Sequence, residues 1–261
     1  MAVEREPTGI QGFDDLVQGG LPKNSVALVS GSPGTGKSIF SMQFLHTGAK
    51  RYNQPVLYLS LEQRITDLHR QAKQFGMDFP ALEEKGLAKF VFYDITKRRL
   101  PKGETYSSLI LQEAEDMGAK RVVIDSLSPL ADFPISVNEL ADYGLLEDFD
   151  KVLGTSLSEN LMIRMQVHRL IMTLKDLDAT CIVTSQTPRE SVSFSSDGVS
   201  EFLADAVITL HYLGMAGSTR TIRVEKMRET SHYDDFADLK ITNKGLGVST
   251  APLGETKGGL F

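Results

Sequence analysis

The stretch of sequence that decides the fold is Gly31-Ser32-Pro33-Gly34-Thr35-Gly36-Lys37-Ser38. It matches the pattern G-x-x-x-x-G-K-S in full. The glycines let backbone N–H groups face phosphate oxygens without a clashing Cβ, and the helix that follows adds its positive N-terminus. In this pattern Lys37 reaches the β- and γ-phosphates and the hydroxyl of Ser38 holds Mg²⁺. The stretch therefore predicts a site for ATP and Mg²⁺.

The segments around this loop predict an α/β fold. A buried strand over 24–30 precedes the loop, and an amphipathic helix follows it to Arg51. Short apolar strands then alternate with helices, which is typical of a mostly parallel sheet covered on both faces. Beyond residue 206, consecutive strands without helices predict an antiparallel C-terminal extension. We expect strands at 56–60, 90–94, 121–126, 181–185, 207–213, 219–226, 239–242 and 248–250, and helices at 65–75 and 107–117.

Three polar side chains follow strands of this predicted sheet. Asp125 ends the apolar run 121–125, and we expect it to hold Mg²⁺ together with Ser38. Glu62 follows the strand at 56–60, where a carboxylate can deprotonate the attacking water and contact the metal, although it could also be a solvated loop acid. Gln186 could sense the γ-phosphate or cap a loop. Ligands of parallel sheets lie at this end of the strands, so all three are candidate site residues.

Length and charge constrain the organisation of the chain. Its 261 residues include 28 basic and 34 acidic ones, a net charge of −6, which argues against a protein that coats nucleic acid. We expect one domain over 1–250, with an acidic helical insertion over about 132–165, and a flexible tail over 251–261. The single cysteine, Cys181, excludes an internal disulfide. No apolar run reaches the length of a membrane span, so we expect a cytoplasmic protein.

Two further motifs indicate a family. The N-terminal Thr8-Gly9-Ile10-Gln11-Gly12-Phe13 and the later Lys226-Met227-Arg228-Glu229-Thr230-Ser231-His232, together with the phosphate loop, resemble the KaiC-like branch of the RecA superfamily. The resemblance covers roughly residues 7–250 and is to a single KaiC-type domain. It implies a RecA-like P-loop NTPase that hydrolyses ATP slowly and has a regulatory or assembly role with an unknown protein partner.

The resemblance also implies a ring, usually a hexamer, with ATP bound between neighbouring subunits. One subunit would contribute the phosphate loop, from Ser32, Pro33, Gly34, Thr35 and Gly36 to Lys37, Ser38 and Ile39. The next subunit would contribute Lys226, Met227, Arg228, Thr230 and His232, with Thr242 and Asn243 near the nucleoside. Lys226 and Arg228 would act as arginine-finger-type catalytic cations, although an edge strand can also carry such charges to prevent aggregation.

Departures from the family pattern leave alternatives open. Gln63 stands where the family has a second glutamate, so a scaffold that binds ATP without hydrolysing it is one alternative. Glu201-Phe202 replaces a serine–threonine pair, so autokinase activity at these positions is excluded. A DNA-binding accessory ATPase of the RecA type is another alternative, but the acidic insertion and the sparsely charged segment 187–200 do not favour it.

Overall fold

The computed structural model describes residues 3–94, 105–132, 159–187, 193–213 and 219–250. Several predicted features lie outside these ranges. They are residues 133–158 of the acidic insertion, residues 188–192 of the sparsely charged segment and the C-terminal tail.

The predicted α/β architecture is confirmed. The described strands form a nine-stranded sheet in the order β11-β10-β9-β8-β3-β7-β6-β4-β5 and a separate two-stranded sheet, β1-β2. Strands β3 to β8 are parallel, and β9 to β11 are antiparallel. The strand bounds are β1 Arg5–Glu6, β2 Leu21–Pro22, β3 Val26–Gly31, β4 Val56–Ser60, β5 Ala88–Phe92, β6 Arg121–Asp125, β7 Thr180–Gln186, β8 Ala206–Leu213, β9 Thr219–Met227, β10 Ala237–Thr242 and β11 Gly245–Ser249.

Helices cover both faces of the sheet because alternate residues of each central strand enter different apolar cores. In β3, Ala27 and Val29 pack with α2 in one core, whereas Val26 and Leu28 pack with α7 in the other. The helices of the described residues are α1 Phe13–Leu16, α2 Lys37–Tyr52, α3 Ile65–Gln74, α4 Phe79–Glu83, α5 Tyr106–Met117, α6 Ser128–Asp132, α7 Glu159–Asp176 and α8 Ser200–Leu203. None of the helices in this described part is long and apolar enough to cross a membrane.

The parallel strands define two edges that matter for the site. We call the line through Gly31, Ser60, Asp125 and Gln186, where β3, β4, β6 and β7 end, the carboxyl edge. The amino edge is the opposite line, where these strands begin. Because β9 is antiparallel to β8, its last residue, Met227, pairs with the first residue of β8 and returns to the amino edge.

A buried arginine ties the N-terminal segment to the amino edge. The side chain of Arg121 is fully buried and donates from Nη2 to Glu6 (2.7 Å) and from Nη1 to the carbonyl of Pro7 (2.7 Å). Its Nε donates to Gln54 (2.8 Å), so its charge is paired with Glu6 and hydrogen-bonded on three sides. A Cβ at Gly48 would lie 2.5 Å from the Arg121 side chain, which explains a glycine within α2.

The sequence expectations fail in places where elements are short. The strand expected at 90–94 lies at 88–92, since its register pairs Ala88 with Val56 and Phe92 with Ser60. The expectations did not include α4, whose five residues are too few for helical periodicity to show. Asp78 caps this helix by accepting from the Ala81 N–H (3.4 Å), and Pro80 lies in its first turn.

Candidate functional site

The phosphate loop lies at the carboxyl edge, between β3 and α2. Its backbone has positive φ at Gly34 (80°) and Gly36 (113°), a region that L-residues with a side chain rarely adopt. Lys37 folds back over the loop and donates to the carbonyls of Gly31 (2.7 Å) and Ser32 (3.2 Å). Burial lowers the pKa of Lys37, with nearby Asp125 and Glu62 acting in the opposite direction. The loop thus presents one ammonium group between its own carbonyls and two carboxylates.

Thr35 has a different place from its neighbours in the loop. Its side chain is buried, and its hydroxyl donates to the carbonyl of Ser32 (2.8 Å). The Thr35 hydroxyl therefore braces the turn from within. The other side of the loop packs on β11, since a Cβ at Gly36 would lie 3.3 Å from Leu246.

Asp125 is the centre of the polar network at the carboxyl edge. Its carboxylate accepts hydrogen bonds from the hydroxyls of Ser38 (2.7 Å), Tyr58 and Thr184. Burial raises the pKa of Tyr58 well above its usual value, and the nearby Asp125 carboxylate adds to this effect, so the phenol remains a hydrogen-bond donor. The hydroxyl of Ser38 and the carboxylate of Asp125 bring two hard oxygen ligands together, which is the donor set that Mg²⁺ prefers. The residues present therefore fit a magnesium ion.

Glu62 extends into the same region from the loop after β4. Its carboxylate accepts a hydrogen bond from the hydroxyl of Ser126, the residue after Asp125, and its side chain is otherwise exposed. The neighbouring Gln63 accepts from Nε2 of Gln71 (2.9 Å). Gln186 ends β7 opposite Gly31, and its backbone N–H donates to Ser128 (3.1 Å). The three side chains that the sequence placed at the ends of strands, those of Asp125, Glu62 and Gln186, thus surround the phosphate loop.

These side chains line one cavity of about 310 Å³. It brings together nine of the candidates from the sequence and adds four residues that the sequence reasoning had not assigned to the site. The nine are Pro33, Gly34, Gly36, Lys37, Ser38, Ile39, Glu62, Asp125 and Gln186, and the four are Gln63, Gln71, Ser126 and Ile241. Cys181 is not part of it. Its thiol is buried in the core, and burial raises its pKa to about 12, as expected for an inert thiol.

The candidate residues of the second motif lie at the amino edge. Lys226 pairs in register with Val207, which pairs with Leu28, three residues before Gly31. At about 3.3 Å per residue this places Lys226 about 10 Å down the sheet and two strands across from the phosphate loop. Its Nζ donates to the carbonyls of Ala204 (2.6 Å), Phe202 (3.2 Å) and Glu201 (3.4 Å). The structure therefore separates Lys226 from the cavity of its own chain.

Positive charge is in excess around Lys226. Asp205 pairs with Arg228 (3.2 Å) and with Lys175 (2.7 Å), so two cations share one carboxylate. Lys226 is a third cation beside them. Burial lowers the pKa of Lys226, and repulsion by Arg228 adds to this effect. Thr230 accepts from Arg5 (2.6 Å), and Nδ1 of His232 lies 3.0 Å from the carbonyl of Tyr233. Within this group of side chains, the three cations Lys175, Lys226 and Arg228 outnumber the one carboxylate of Asp205.

The comparisons with known proteins agree with this geometry. A family model described as "ATPase: KaiC" matches residues 6–139 and 148–252, which is most of the chain. The chain belongs to the KaiC ATPase family. The resemblance expected from the motifs is thereby confirmed, and membership of an ATPase family implies that the chain uses a nucleotide.

Individual KaiC relatives show how much of the family the chain spans. The "Circadian clock oscillator protein KaiC" of Parasynechococcus marenigrum is 31% identical over 264 residues, which cover 97% of this chain and 46% of that protein. A UPF0273 protein of Methanocaldococcus jannaschii is 32% identical over 247 residues, which cover 94% of this chain and 96% of that protein. The chain therefore spans about half the length of the KaiC clock relatives and nearly all of the shorter one.

A solved structure extends the KaiC likeness to the fold. The crystal structure of a KaiC-like protein from Pyrococcus horikoshii superposes with a TM-score of 0.75 at 30% identity. The match covers 94% of this chain and 99% of that one. The mostly parallel sheet with its antiparallel extension is therefore the fold of a KaiC-like protein.

In this KaiC family member the β10–β11 turn lies beside the chain's own phosphate loop. Ile241 lines the cavity and lies close to Gly36, and Thr242 and Asn243 follow it directly. The Thr242 hydroxyl donates to the carbonyl of Gly245 (3.0 Å), which closes the turn. Arg220 of β9 was missed by the sequence reasoning, and its Nε donates to the carbonyl of Gly34 (3.3 Å). Because 186 residues separate Arg220 from Gly34 in the sequence, only the register of β9 reveals that they lie close together.

Proposed function

We propose that this chain is an ATPase whose ATP lies between the subunits of a ring, with six subunits as the expected number. In this proposal residues 1–250 are one catalytic domain. The phosphate loop of one subunit binds ATP and Mg²⁺, and Lys226 and Arg228 of the next subunit complete the site. The role is regulatory or assembly-related, in the cytoplasm, with a protein partner.

The carboxyl edge supports the nucleotide half of this proposal. Lys37 would exchange its bonds to the carbonyls of Gly31 and Ser32 for bonds to the β- and γ-phosphates. The Ser38 hydroxyl and the Asp125 carboxylate, 2.7 Å apart, would hold Mg²⁺. When bound, the metal neutralises charge that develops on the phosphates. Ile39, at the start of α2, lines the cavity beside these groups.

Glu62 is the group best placed to activate water. It is a carboxylate at the mouth of the cavity, and the Ser126 hydroxyl fixes its orientation. Glu62 would take a proton from water as the water oxygen attacks the γ-phosphorus, and the bond from that phosphorus to the β–γ bridging oxygen would break to release ADP. Gln186 would hydrogen-bond to the γ-phosphate oxygens. Gln63 carries no negative charge and its amide oxygen is bonded to Gln71, so it supplies no second base. We therefore expect slow hydrolysis.

The separation of the two motifs is the observation that carries the shared site. Lys226 and Arg228 lie at the amino edge, whereas the phosphate loop lies at the carboxyl edge, about 10 Å along the sheet. Neither cation reaches the γ-phosphate of its own subunit in this arrangement. The cations around Asp205 outnumber its one carboxylate. Lys226 and Arg228 are therefore suited to bind phosphate groups that a second copy presents.

Mixing two inactive proteins tests the shared site. A Lys37→Ala protein lacks the cation of the phosphate loop, and a Lys226→Ala/Arg228→Ala protein lacks the opposing cations. Each alone should hydrolyse little ATP. Their mixture should regain activity, because some interfaces then join an intact loop to an intact pair of cations. The gain should rise with protein concentration, as assembly does.

Controls make this outcome decisive. Light scattering and exchange of fluorescently labelled subunits establish that both variants assemble and mix. If they mix and the mixture stays inactive, the shared site is wrong. If the Lys226→Ala/Arg228→Ala protein alone keeps full activity, these residues are surface charges. If neither the unmodified protein nor any mixture hydrolyses ATP while ATP still binds, the chain is the non-hydrolysing scaffold.

A further inference from the structure

The connection between β7 and β8 begins beside the phosphate loop. Ser30, the residue before Gly31, donates its hydroxyl hydrogen bond to the carbonyl of Phe194. Ser185, the residue before Gln186, accepts from the N–H of Ser196 (3.1 Å). Residues 194–196 are therefore held against the carboxyl ends of β3 and β7, next to Gly31 of the phosphate loop and to Gln186, which lines the cavity.

The same connection then fixes the short helix α8. Asp197 accepts from the backbone N–H groups of Val199 (2.8 Å) and Ser200 (2.7 Å), which satisfies the start of the helix. Glu201 accepts from the hydroxyls of Ser195 (2.8 Å) and Ser193 (3.0 Å). The side chains of Ser195 and Asp197 are buried, so these bonds are protected from water. The carboxylate of Glu201 thus joins α8 to the segment that leans on the phosphate loop.

The other end of α8 holds Lys226. The ammonium group of Lys226 has three hydrogens, and three carbonyls lie 2.6–3.4 Å from its nitrogen, those of Glu201, Phe202 and Ala204. The position of the ammonium group at the amino edge is therefore set by where α8 ends. Phe202 itself projects into solvent with 71% of its surface exposed and contributes its carbonyl to this arrangement.

We propose that Glu201 is a positioning residue for Lys226: by fixing α8 through Ser193 and Ser195, it aims the ammonium group at the phosphates of the neighbouring subunit. This inference rests on the proposed shared site. Hydrogen bonds and chain neighbours connect Ser30, through Phe194 and Ser195, to Glu201, and the carbonyl of Glu201 in turn contacts Lys226. A carboxylate suits this positioning role because it can accept hydrogen bonds from two hydroxyls, and its negative charge strengthens both bonds.

The test asks which half of the site a Glu201→Ala variant damages. We expect ATP affinity, measured by calorimetry, to stay unchanged, because the phosphate loop is intact. The kcat should fall about 10- to 100-fold, as a displaced catalytic group produces. Glu201→Gln keeps an acceptor and should recover part of the rate. Glu229→Gln removes an exposed negative charge at the same edge without contacting α8, and it should behave as the unmodified protein.

Mixing the variants then shows whether Glu201 belongs to the half of the shared site that contains Lys226. Glu201→Ala should regain activity with Lys37→Ala, whose Lys226 and α8 are intact. It should gain nothing with Lys226→Ala/Arg228→Ala, which lacks the same half. Recovery with the latter, or with neither while the reference pair recovers, overturns the inference, as does a full rate for Glu201→Ala alone. If the reference pair of Lys37→Ala and Lys226→Ala/Arg228→Ala does not recover, the shared site fails and this inference fails with it.

Discussion

The carboxyl edge and the amino edge of the sheet differ in how their charged groups are paired. At the carboxyl edge, Asp125 accepts three hydroxyl hydrogen bonds, and Lys37 is held by carbonyls of its own loop. At the amino edge, Lys175 and Arg228 both pair with the carboxylate of Asp205, and Lys226 is a third cation beside them. The first arrangement is complete within one chain, whereas the second has positive charge to spare. This difference in charge pairing is what the proposed shared site uses, in which one edge receives the ligand and the other is presented to it.

The strongest test of this contrast removes the surplus charge. In Lys226→Ala/Arg228→Ala, ATP turnover should fall by up to 10³- to 10⁵-fold, the range for a finger residue, while ATP affinity of the phosphate loop is retained. Phosphate release and calorimetry measure the two quantities. Lys120→Ala is the matched control, since Lys120 is an exposed cation at the same edge that pairs with Asp178. An equal loss in the control would mean that the effect comes from the total positive charge at this edge and is not specific to Lys226 and Arg228.

The next test addresses the carboxyl edge. Glu62→Gln should leave ATP binding intact and lower kcat by about 10²- to 10⁴-fold, since an amide still accepts the Ser126 hydroxyl but takes no proton from water. Glu115→Gln, an exposed acid on α5, should change neither quantity. A loss below about tenfold for Glu62→Gln would show that another group is the base.

A third test separates charges that hold the fold from charges that serve the site. Glu6→Leu leaves the buried guanidinium of Arg121 without its carboxylate and should lower the free energy of unfolding by about 3–5 kcal/mol. In Glu6→Leu/Arg121→Met no buried charge is left unpaired, and much of that stability should return. Urea denaturation measures both. If the double variant is as unstable as the single one, the packing of Arg121 matters more than its pairing.

The smallest expected effect concerns a group that belongs to neither edge. Burial, with repulsion by Lys50 and Arg51, lowers the pKa of His46 to about 4. The unfolded chain binds this proton near pH 6.5, so folding stability should decrease as pH falls from about 6.5 to about 4. Because His46 is partly exposed, we expect a change on the order of 1 kcal/mol. His46→Gln should flatten thermal stability over this window, and an unchanged slope would assign the effect to other groups.

The sequence predicted the carboxyl edge well for a physical reason. The phosphate loop is contiguous, and its glycines, Lys37 and Ser38 act through local backbone geometry that the spacing alone dictates. Asp125 and Glu62 were found because apolar strands have a readable length and end in a polar residue. The parallel strands and the helices α2, α3 and α5 were placed to within two residues for the same reason, whereas β11 begins three residues before the expected strand at 248–250.

What the sequence did not predict depends on contacts between distant segments. Arg121 begins a strand and looks like an exposed charge, yet Glu6, 115 residues away, makes its burial possible. Arg220 lies beside Gly34 through the register of β9, which no local pattern encodes. The network of Ser193, Ser195 and Glu201 lies in and just beyond the segment 187–200, of which the sequence indicated only that it is sparsely charged. Its hydrogen bonds to Ser30 and Ser185 depend on two strands far apart in the sequence.

The antiparallel return of β9 also has a consequence for symmetry. In a shared site, the surface around the phosphate loop of one copy meets the different surface around Lys226 of the next, so the contact is head-to-tail and leaves one free surface of each kind after every addition. A face-to-face pair would not build such a site. Closure into a ring then depends on the small rotation that each copy adds, and a change in that rotation would produce an open filament instead.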